Sequence, residues 1–279
     1  MSRLAPVAIL CALLLAPVAA ARADWIADLD GAIVYEDNLS RATRPADRKD
    51  GIALVSTLSV GRHFQLTDAT SLVATADFKG SFYPEIDRLS NLASTVTLGV
   101  RHKLGLGRFA PWVRVFATGG VLDYGDNVRD GAVVGAGLQV GKRLTERIDV
   151  EGGYSHESVD AGNLVFNADS HTFSLRSGVA LTGALQLTLG YAARLGDLVI
   201  HRSPAPGAAP TAHARLVRTF DTPLVAARIT ATTHLFSAAL GYALTPHAAL
   251  TAGYEYQISF GPIFSYPNHL ARASFAYSF

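Results

Sequence analysis

Cysteine is all but absent: the 279 residues contain one, Cys11, and it lies in an N-terminal stretch that reads as a leader. A chain without further thiols has no disulfide framework, no thiolate metal centre and no cysteine nucleophile. Charge is scarce too, at 17% of residues against 49% hydrophobic, with 24 Lys and Arg against 23 Asp and Glu. No block of like charge occurs, so the electrostatic footprint of a nucleic-acid binder is missing and no nucleic-acid partner is expected. Beyond Ala23 no apolar run approaches the roughly 18 residues of a membrane-crossing helix, which excludes helical spans.

Residues 1–23 have the parts of a secretory signal: a basic start at Arg3, an apolar run from Leu4 to Ala21, and the small-x-small sequence Ala21-Arg22-Ala23. Pro6 and Pro17 interrupt the run and no stop-transfer charges follow, which argues against a transmembrane helix. Leu10, just before Cys11, is too large for a lipoprotein signal. The expected organisation is a cleaved signal peptide over residues 1–23 and one exported domain over 24–279. Arg3 and Arg22 leave with the leader, so the exported part has 22 basic and 23 acidic residues and a net charge of −1.

What the chain has instead is alternation with a period of two. From Leu72 to Phe82, the residues Leu72, Ala74, Ala76, Phe78, Gly80 and Phe82 fall on one face, and Val73, Thr75, Asp77, Lys79 and Ser81 on the other. Ile148–Tyr154 and Leu250–Tyr256 repeat the design. Four similar tetrads, Gln65-Leu66-Thr67-Asp68, Arg143-Leu144-Thr145-Glu146, Ala180-Leu181-Thr182-Gly183 and Ala243-Leu244-Thr245-Pro246, punctuate the alternation as tight turns, with Lys103 to Gly107 as a fifth. Between them lie longer polar stretches at 37–50, 83–91, 124–131, 158–169, about 197–227 and 260–267. Twelve strands result, starting near Trp25, Gly51, Ser71, Leu92, Ala110, Ala132, Arg147, Ser170, Leu185, Thr230, Ala248 and Asn268.

An even antiparallel meander with short turns at one end, long loops at the other, and one apolar face per strand predicts an all-β, transmembrane, up-and-down β-barrel. A water-soluble sandwich or lipocalin-like barrel is the alternative, with its polar face outward. Aromatic residues near strand ends (Trp25, Tyr35, Phe82, Tyr83, Trp112, Tyr124, Tyr254, Tyr256, Phe260, Tyr266 and Tyr277) favour the membrane reading, as interfacial girdles.

The last strand, with Ala271, Ala273, Phe275, Tyr277 and Phe279 alternating to a terminal Phe, resembles the C-terminal signal of Gram-negative outer-membrane barrels. The resemblance implies outer-membrane lipid as surroundings and the barrel-insertion machinery as a partner, through Phe275, Tyr277 and Phe279. A second segment, Tyr35-Glu36-Asp37-Asn38-Leu39-Ser40-Arg41, is similar to one that opens the barrels of surface lipoprotein assembly modifiers and of exopolysaccharide-export proteins. It implies export-system partners. The chain departs from the assembly modifiers in having no helical-repeat domain ahead of the barrel, and a plainer reading has Asp37 and Asn38 simply turning the chain.

If the apolar faces meet lipid, the charges opposite them line the lumen, because Arg or Lys facing mid-bilayer lipid costs about 2 to 4 kcal/mol. Asp30, Asp77, Arg101, Arg114, Glu151, Arg176, Glu255 and Arg272 are expected at similar depth. The expected neighbours are Asp77 with Arg101, Glu151 with Arg176, Glu255 with Arg272, and Asp30 with Arg272 across the closure. Such a belt is either a set of ion pairs or a constriction with weak charge selectivity. The segment from His201 to Arg218, with Pro204, Pro206 and Pro210, either folds inward or stays mobile.

Within Tyr154-Ser155-His156-Glu157-Ser158, His156 and Ser158 are two apart on a strand and so both face lipid. The pair resembles the His-x-Ser of outer-membrane phospholipases and lipid A deacylases, with Asn167 or His171 as a third group. Val159 stands where those families have Asn. The plainer reading is an interfacial histidine. His63, His102, His201, His213, His234, His247 and His269 occur singly, and no metal site or cofactor is expected. The leading expectation is a non-enzymatic passive channel for ions or small hydrophilic solutes. An accessory barrel of a polysaccharide-export or surface-assembly system is second, and a lipid hydrolase third.

Overall fold

A computed structural model describes residues 23–204, 213–220, 222–262 and 264–279. The expected signal peptide lies outside the described residues, except for Ala23, which begins the first strand. Twelve strands form the wall: β1 (Ala23–Glu36), β2 (Gly51–Gln65), β3 (Thr70–Phe82), β4 (Asn91–Lys103), β5 (Trp112–Tyr124), β6 (Gly131–Arg143), β7 (Ile148–Ala161), β8 (Ala168–Ala180), β9 (Leu185–Arg202), β11 (Leu224–Ala243), β12 (Ala248–Gly261) and β13 (Phe264–Ser278). The short β10 (Ala214–Val217) pairs with the start of β11. Each wall strand is antiparallel to its neighbours, β9 pairs with β11, and β13 closes on β1 from Asp28↔Ser278 to Glu36↔Leu270. Closure leaves the wall no edge, which a structure crossing lipid requires.

The Leu-Thr turns owe their recurrence to one hydrogen-bond device. Each threonine hydroxyl accepts the backbone N–H groups two and three residues on, at 3.0–3.3 Å: Thr67 from Ala69 and Thr70, Thr145 from Arg147 and Ile148, Thr182 from Ala184 and Leu185, Thr245 from His247 and Ala248. The side chain thereby satisfies donors that the tight turn leaves without ladder partners. The fifth turn is built differently, with Gly105 and Gly107 at φ of 130° and 82°.

Because paired residues share a face, the register fixes which side chains point outward. Leu58, Phe78, Leu98, Val115, Leu138, Tyr154 and Phe173, on seven successive strands, lie on the outer face and are 37–59% exposed. An apolar band on this scale around the outside is a lipid-facing surface, and it disposes of the soluble alternative.

Strand starts follow the sequence expectation except near the last two outer connections. β11 begins at Leu224 rather than near Thr230, and β13 at Phe264 rather than near Asn268. The stretch 224–229 is mostly apolar without alternation and Pro267 interrupts the second stretch, which hid their pairing: β9 and β11 stay in register up to Arg202↔Val225, and β12 and β13 up to Gly261↔Phe264. Buried apolar residues are concentrated at the loop end. Val165, Phe166, Val217 and Ala226 form one cluster, Leu89, Phe220 and Leu224 a second, and Leu198, Ala231 and Tyr266 a third.

Candidate functional site

The eight charged residues singled out above all fall on the inward set of the register. They do not share one depth. Asp30, Asp77 and Glu255 are each the eighth residue of their strand counted from the turn end, and Arg272 is the seventh from the end of β13. Arg101 and Arg114 are third from that end, Glu151 fourth and Arg176 fifth. The expected single belt is therefore two tiers, one rich in arginine near the turns and one rich in acids midway up. Alternation concealed the split, since it fixes the face a residue takes but not how far along its strand the residue lies.

Of the expected neighbours, Asp30 and Arg272 form an ion pair across the closure. Glu151 stands directly opposite Arg176. Asp77 and Arg101 do not meet: Asp77 lies opposite Ser59 and Thr95, while Arg101 lies opposite Ser71 and Arg114. Asp77 instead accepts a hydrogen bond from Ser59 at 2.6 Å, and Arg101 stacks on Trp112 at 4.3 Å. Glu255 is opposite Leu270, two residues from Arg272's level, and takes its hydrogen bond from Gln257 at 2.5 Å.

Inward side chains in a packed barrel would be covered, yet Arg101, Arg176 and Lys79 are exposed, and Asp30 and Arg272 keep 29% and 44% of their side-chain surface. The lower lumen is open to solvent. Three expected girdle aromatics turn inward instead: Trp112 faces Gly141 near the turns, while at the loop end Tyr124 faces Asn91 and Tyr266 is buried opposite Ser259. Gly137 and Gly141 leave the room that Phe116 and Trp112 occupy; a Cβ at either position would run into the ring.

The loop end is arranged differently. Pairing between β8 and β9 ends at Ser170↔Gly196, and Gly196, at φ 146°, has no space for a Cβ against Asp169 and Ser170. Beyond it β9 and β11 continue as a two-stranded ribbon past the wall. The ribbon and the chain after β10 touch all four preceding loops. Ser203 bonds Asp47, Arg129 bonds Thr219, Phe220 packs on Leu89, and Val217 and Ala226 pack on Phe166. Leu89 lies between β3 and β4, half the wall away from β9 and β11, so this chain crosses the mouth. The described part of the segment expected to fold inward or stay mobile thus folds inward; residues 205–212 lie outside the described residues.

At the centre of the covering, His201 is 4% exposed. Its Nδ1 donates to the Ser40 carbonyl at 3.0 Å and its Nε2 accepts from Arg129 at 3.2 Å, an arrangement that only a neutral imidazole can satisfy. Burial, reinforced by the Arg129 guanidinium, pushes its pKa down to about 3. Burial also lowers the pKa of Arg129, which stacks on Phe166 at 4.5 Å. The Tyr35–Arg41 segment explains its own composition here. Asn38 and Ser40 are fully buried, Asn38 bonding both the N–H and C=O of Ala42, and Ser40 donating to the Asp47 carbonyl. Beneath the covering is a cavity of about 390 Å³, lined by Arg41, Arg129, Arg194, Glu36, Glu157 and Asp197 among others.

On the outside, His156 and Ser158 face outward as expected, but Asp169, rather than Asn167, bonds His156, at 2.9 Å. Asn167 is engaged with Asp160 and the Ala161 N–H. The rings of His156 and His171 lie 4.7 Å apart. A Tyr–His hydrogen bond recurs around the outer wall: Tyr154–His171 at 2.9 Å, Tyr191–His234 at 2.9 Å and Tyr254–His269 at 2.5 Å. Its sequence signal was present in the Gly-Tyr pairs at 153–154, 190–191 and 253–254, each followed one strand later by an outward histidine.

No family model and no curated protein matches the chain. Among solved structures, an outer membrane channel from Pseudomonas putida F1 superposes with a TM-score of 0.59 at 13% identity, over 95% of this chain and all of that one. The chain has the fold of an outer-membrane β-barrel. The outer membrane channel DcaP of Acinetobacter baumannii, at 10% identity and a TM-score of 0.42 over 95% of this chain and 99% of that one, is a more distant likeness. At these identities the barrel is similar in fold alone.

Proposed function

We propose that this barrel is a passive, small-bore channel for ions or small hydrophilic solutes in a Gram-negative outer membrane, with the short turns in the periplasm and the covered mouth outside. The observation that supports this most is the solvent-exposed charge on the inward face of the lower lumen, since charged side chains in a filled barrel would be paired and covered. Shared fold with an outer membrane channel agrees with it. The lumen offers both signs of charge, so selectivity between anions and cations is weak. Phe275, Tyr277 and Phe279, alternating outward at the end of the chain, serve the insertion machinery in this reading.

The test is planar-bilayer conductance of the refolded mature protein, with the reversal potential read in a salt gradient. Discrete steps with a small reversal potential support the channel; a folded barrel that never conducts, even with its mouth opened by mutation, refutes it. The covered mouth favours a second reading, an accessory barrel of a polysaccharide-export system that opens only with its partner.

A further inference from the structure

The outer wall of β7 and β8 has a feature the channel does not use. His156, Asp169 and His171 bring their ligand atoms within 4.8 Å of one another on the outward face, just above the apolar stripe that ends at Tyr154 and Phe173. We propose that these three side chains bind one divalent transition-metal ion of the zinc class, independently of whether the lumen conducts.

The donor set selects the class. Two imidazoles and one carboxylate suit zinc, nickel or copper, whereas calcium and magnesium take oxygen ligands. Three protein ligands leave a fourth position open to water or to an oxygen of a lipid headgroup. Ligands about 2.0–2.1 Å from a tetrahedral zinc stand roughly 3.3 Å apart. His156 Nε2 is already 2.9 Å from Asp169 Oδ1, and His171 Nε2 is 4.0 Å from it. The three side chains are 40–57% exposed, so burial does not block the rotamer adjustments of about an ångström that tetrahedral spacing requires. Binding exchanges the His156–Asp169 hydrogen bond for two bonds to the ion, and the imidazole proton passes through solvent to Nδ1.

Tyr154 supplies the outer support a metal-bound histidine needs. Its hydroxyl holds Nδ1 of His171 at 2.9 Å, which leaves Nε2 for the ion. The other two Tyr–His pairs show that this support alone is ordinary wall structure. Where β7 has His156, β9 has Ala193 and β12 has Tyr256; where β8 has Asp169, β11 has Thr232 and β13 has Pro267. Only the β7–β8 copy adds the two further ligands, among the described residues.

The experiment is isothermal titration of the refolded, tag-free mature barrel in detergent micelles with zinc chloride, and with magnesium chloride for comparison. One zinc per barrel is expected, with no magnesium uptake. His171→Ala and Asp169→Asn should each weaken binding at least tenfold, while His234→Ala, His269→Ala and Ser158→Ala leave it unchanged. Tyr154→Phe should weaken it by less than His171→Ala. Heat-modifiable gel mobility confirms that each variant is folded. No stoichiometric zinc binding, or binding in which His156→Ala and His171→Ala match the wild type, overturns the site.

Discussion

The turn end and the loop end of this barrel are built from the same strands and reach opposite results. At the turn end the inward face carries glycines and charged side chains that remain accessible, so the lumen stays wet. At the loop end, three apolar clusters and the buried His201 draw the loops together across the mouth. What distinguishes them is how the strands end. Turns held by a threonine hydroxyl are too short to reach the axis, whereas β9 and β11 outrun β8 and have a ribbon to fold over.

The sharpest way to break this contrast is to place a charge inside the covering. Phe220, 3% exposed against Leu89 and Leu224, is replaced in Phe220→Asp by a carboxylate that costs several kcal/mol to bury unpaired. The covering should release and single-channel conductance should rise at least twofold, while the wall, held by its own ladder, keeps its heat-modifiable mobility. Unchanged conductance would show that the covering does not limit flow.

Acid should do the same more gradually. His201 has a folded pKa of about 3, below its ordinary value near 6.5, so the released ribbon binds the proton that the closed one excludes. Closure is fully stable above about pH 6.5 and loses about 1.4 kcal/mol per unit as pH falls towards 3. Open probability should therefore increase from pH 7 to pH 5, and His201→Gln should flatten that dependence; a wild-type profile flat over this range would contradict it.

The tiers of the lumen make a smaller, directional difference. Arg272→Ala removes the one arginine grouped with Asp30, Asp77 and Glu255 in the acidic tier, and should shift the reversal potential towards cations more than Arg101→Ala does, since Arg114, opposite Arg101, and Arg176 remain in the lower tier. Equal shifts would argue against two tiers. Smallest of all, Thr145→Ala removes two turn hydrogen bonds at the exposed rim and should lower unfolding stability by about 1 kcal/mol without altering conductance, checked by urea titration of folded barrel.

Much of the wall was legible because lipid outside and water inside enforce a strict period of two, and a slip of one residue would turn every apolar side chain inward. The outward placement of His156 and Ser158 followed from the same rule. The covering was not legible. Val217, Phe220 and Leu224 sit in a Pro- and Ala-rich stretch with no alternation, and their burial depends on distant loops: Val217 packs on Phe166, and Phe220 and Leu224 on Leu89, more than a hundred residues earlier in the chain. Nor does a period reveal register: Asp77 and Arg101 share a face on adjacent strands yet lie six residues apart along them, because Asp77 pairs with Thr95. Trp112 turns inward rather than joining a girdle for a related reason: position near a strand end does not say which face an aromatic ring takes, whereas Gly141 opposite it does.

Since the covering is a continuation of β9 and β11, its length is quantised by the wall's alternation. Inserting one residue above Gly196 in each strand would turn His201 away from Ser40 and reverse the ribbon's two faces, whereas inserting two would keep the faces and move the contact outward by one repeat. Relatives with taller or shorter mouths would therefore be expected to differ by even numbers of residues on both sides of the ribbon, a signature that ordinary loops, free to vary by any length, do not leave.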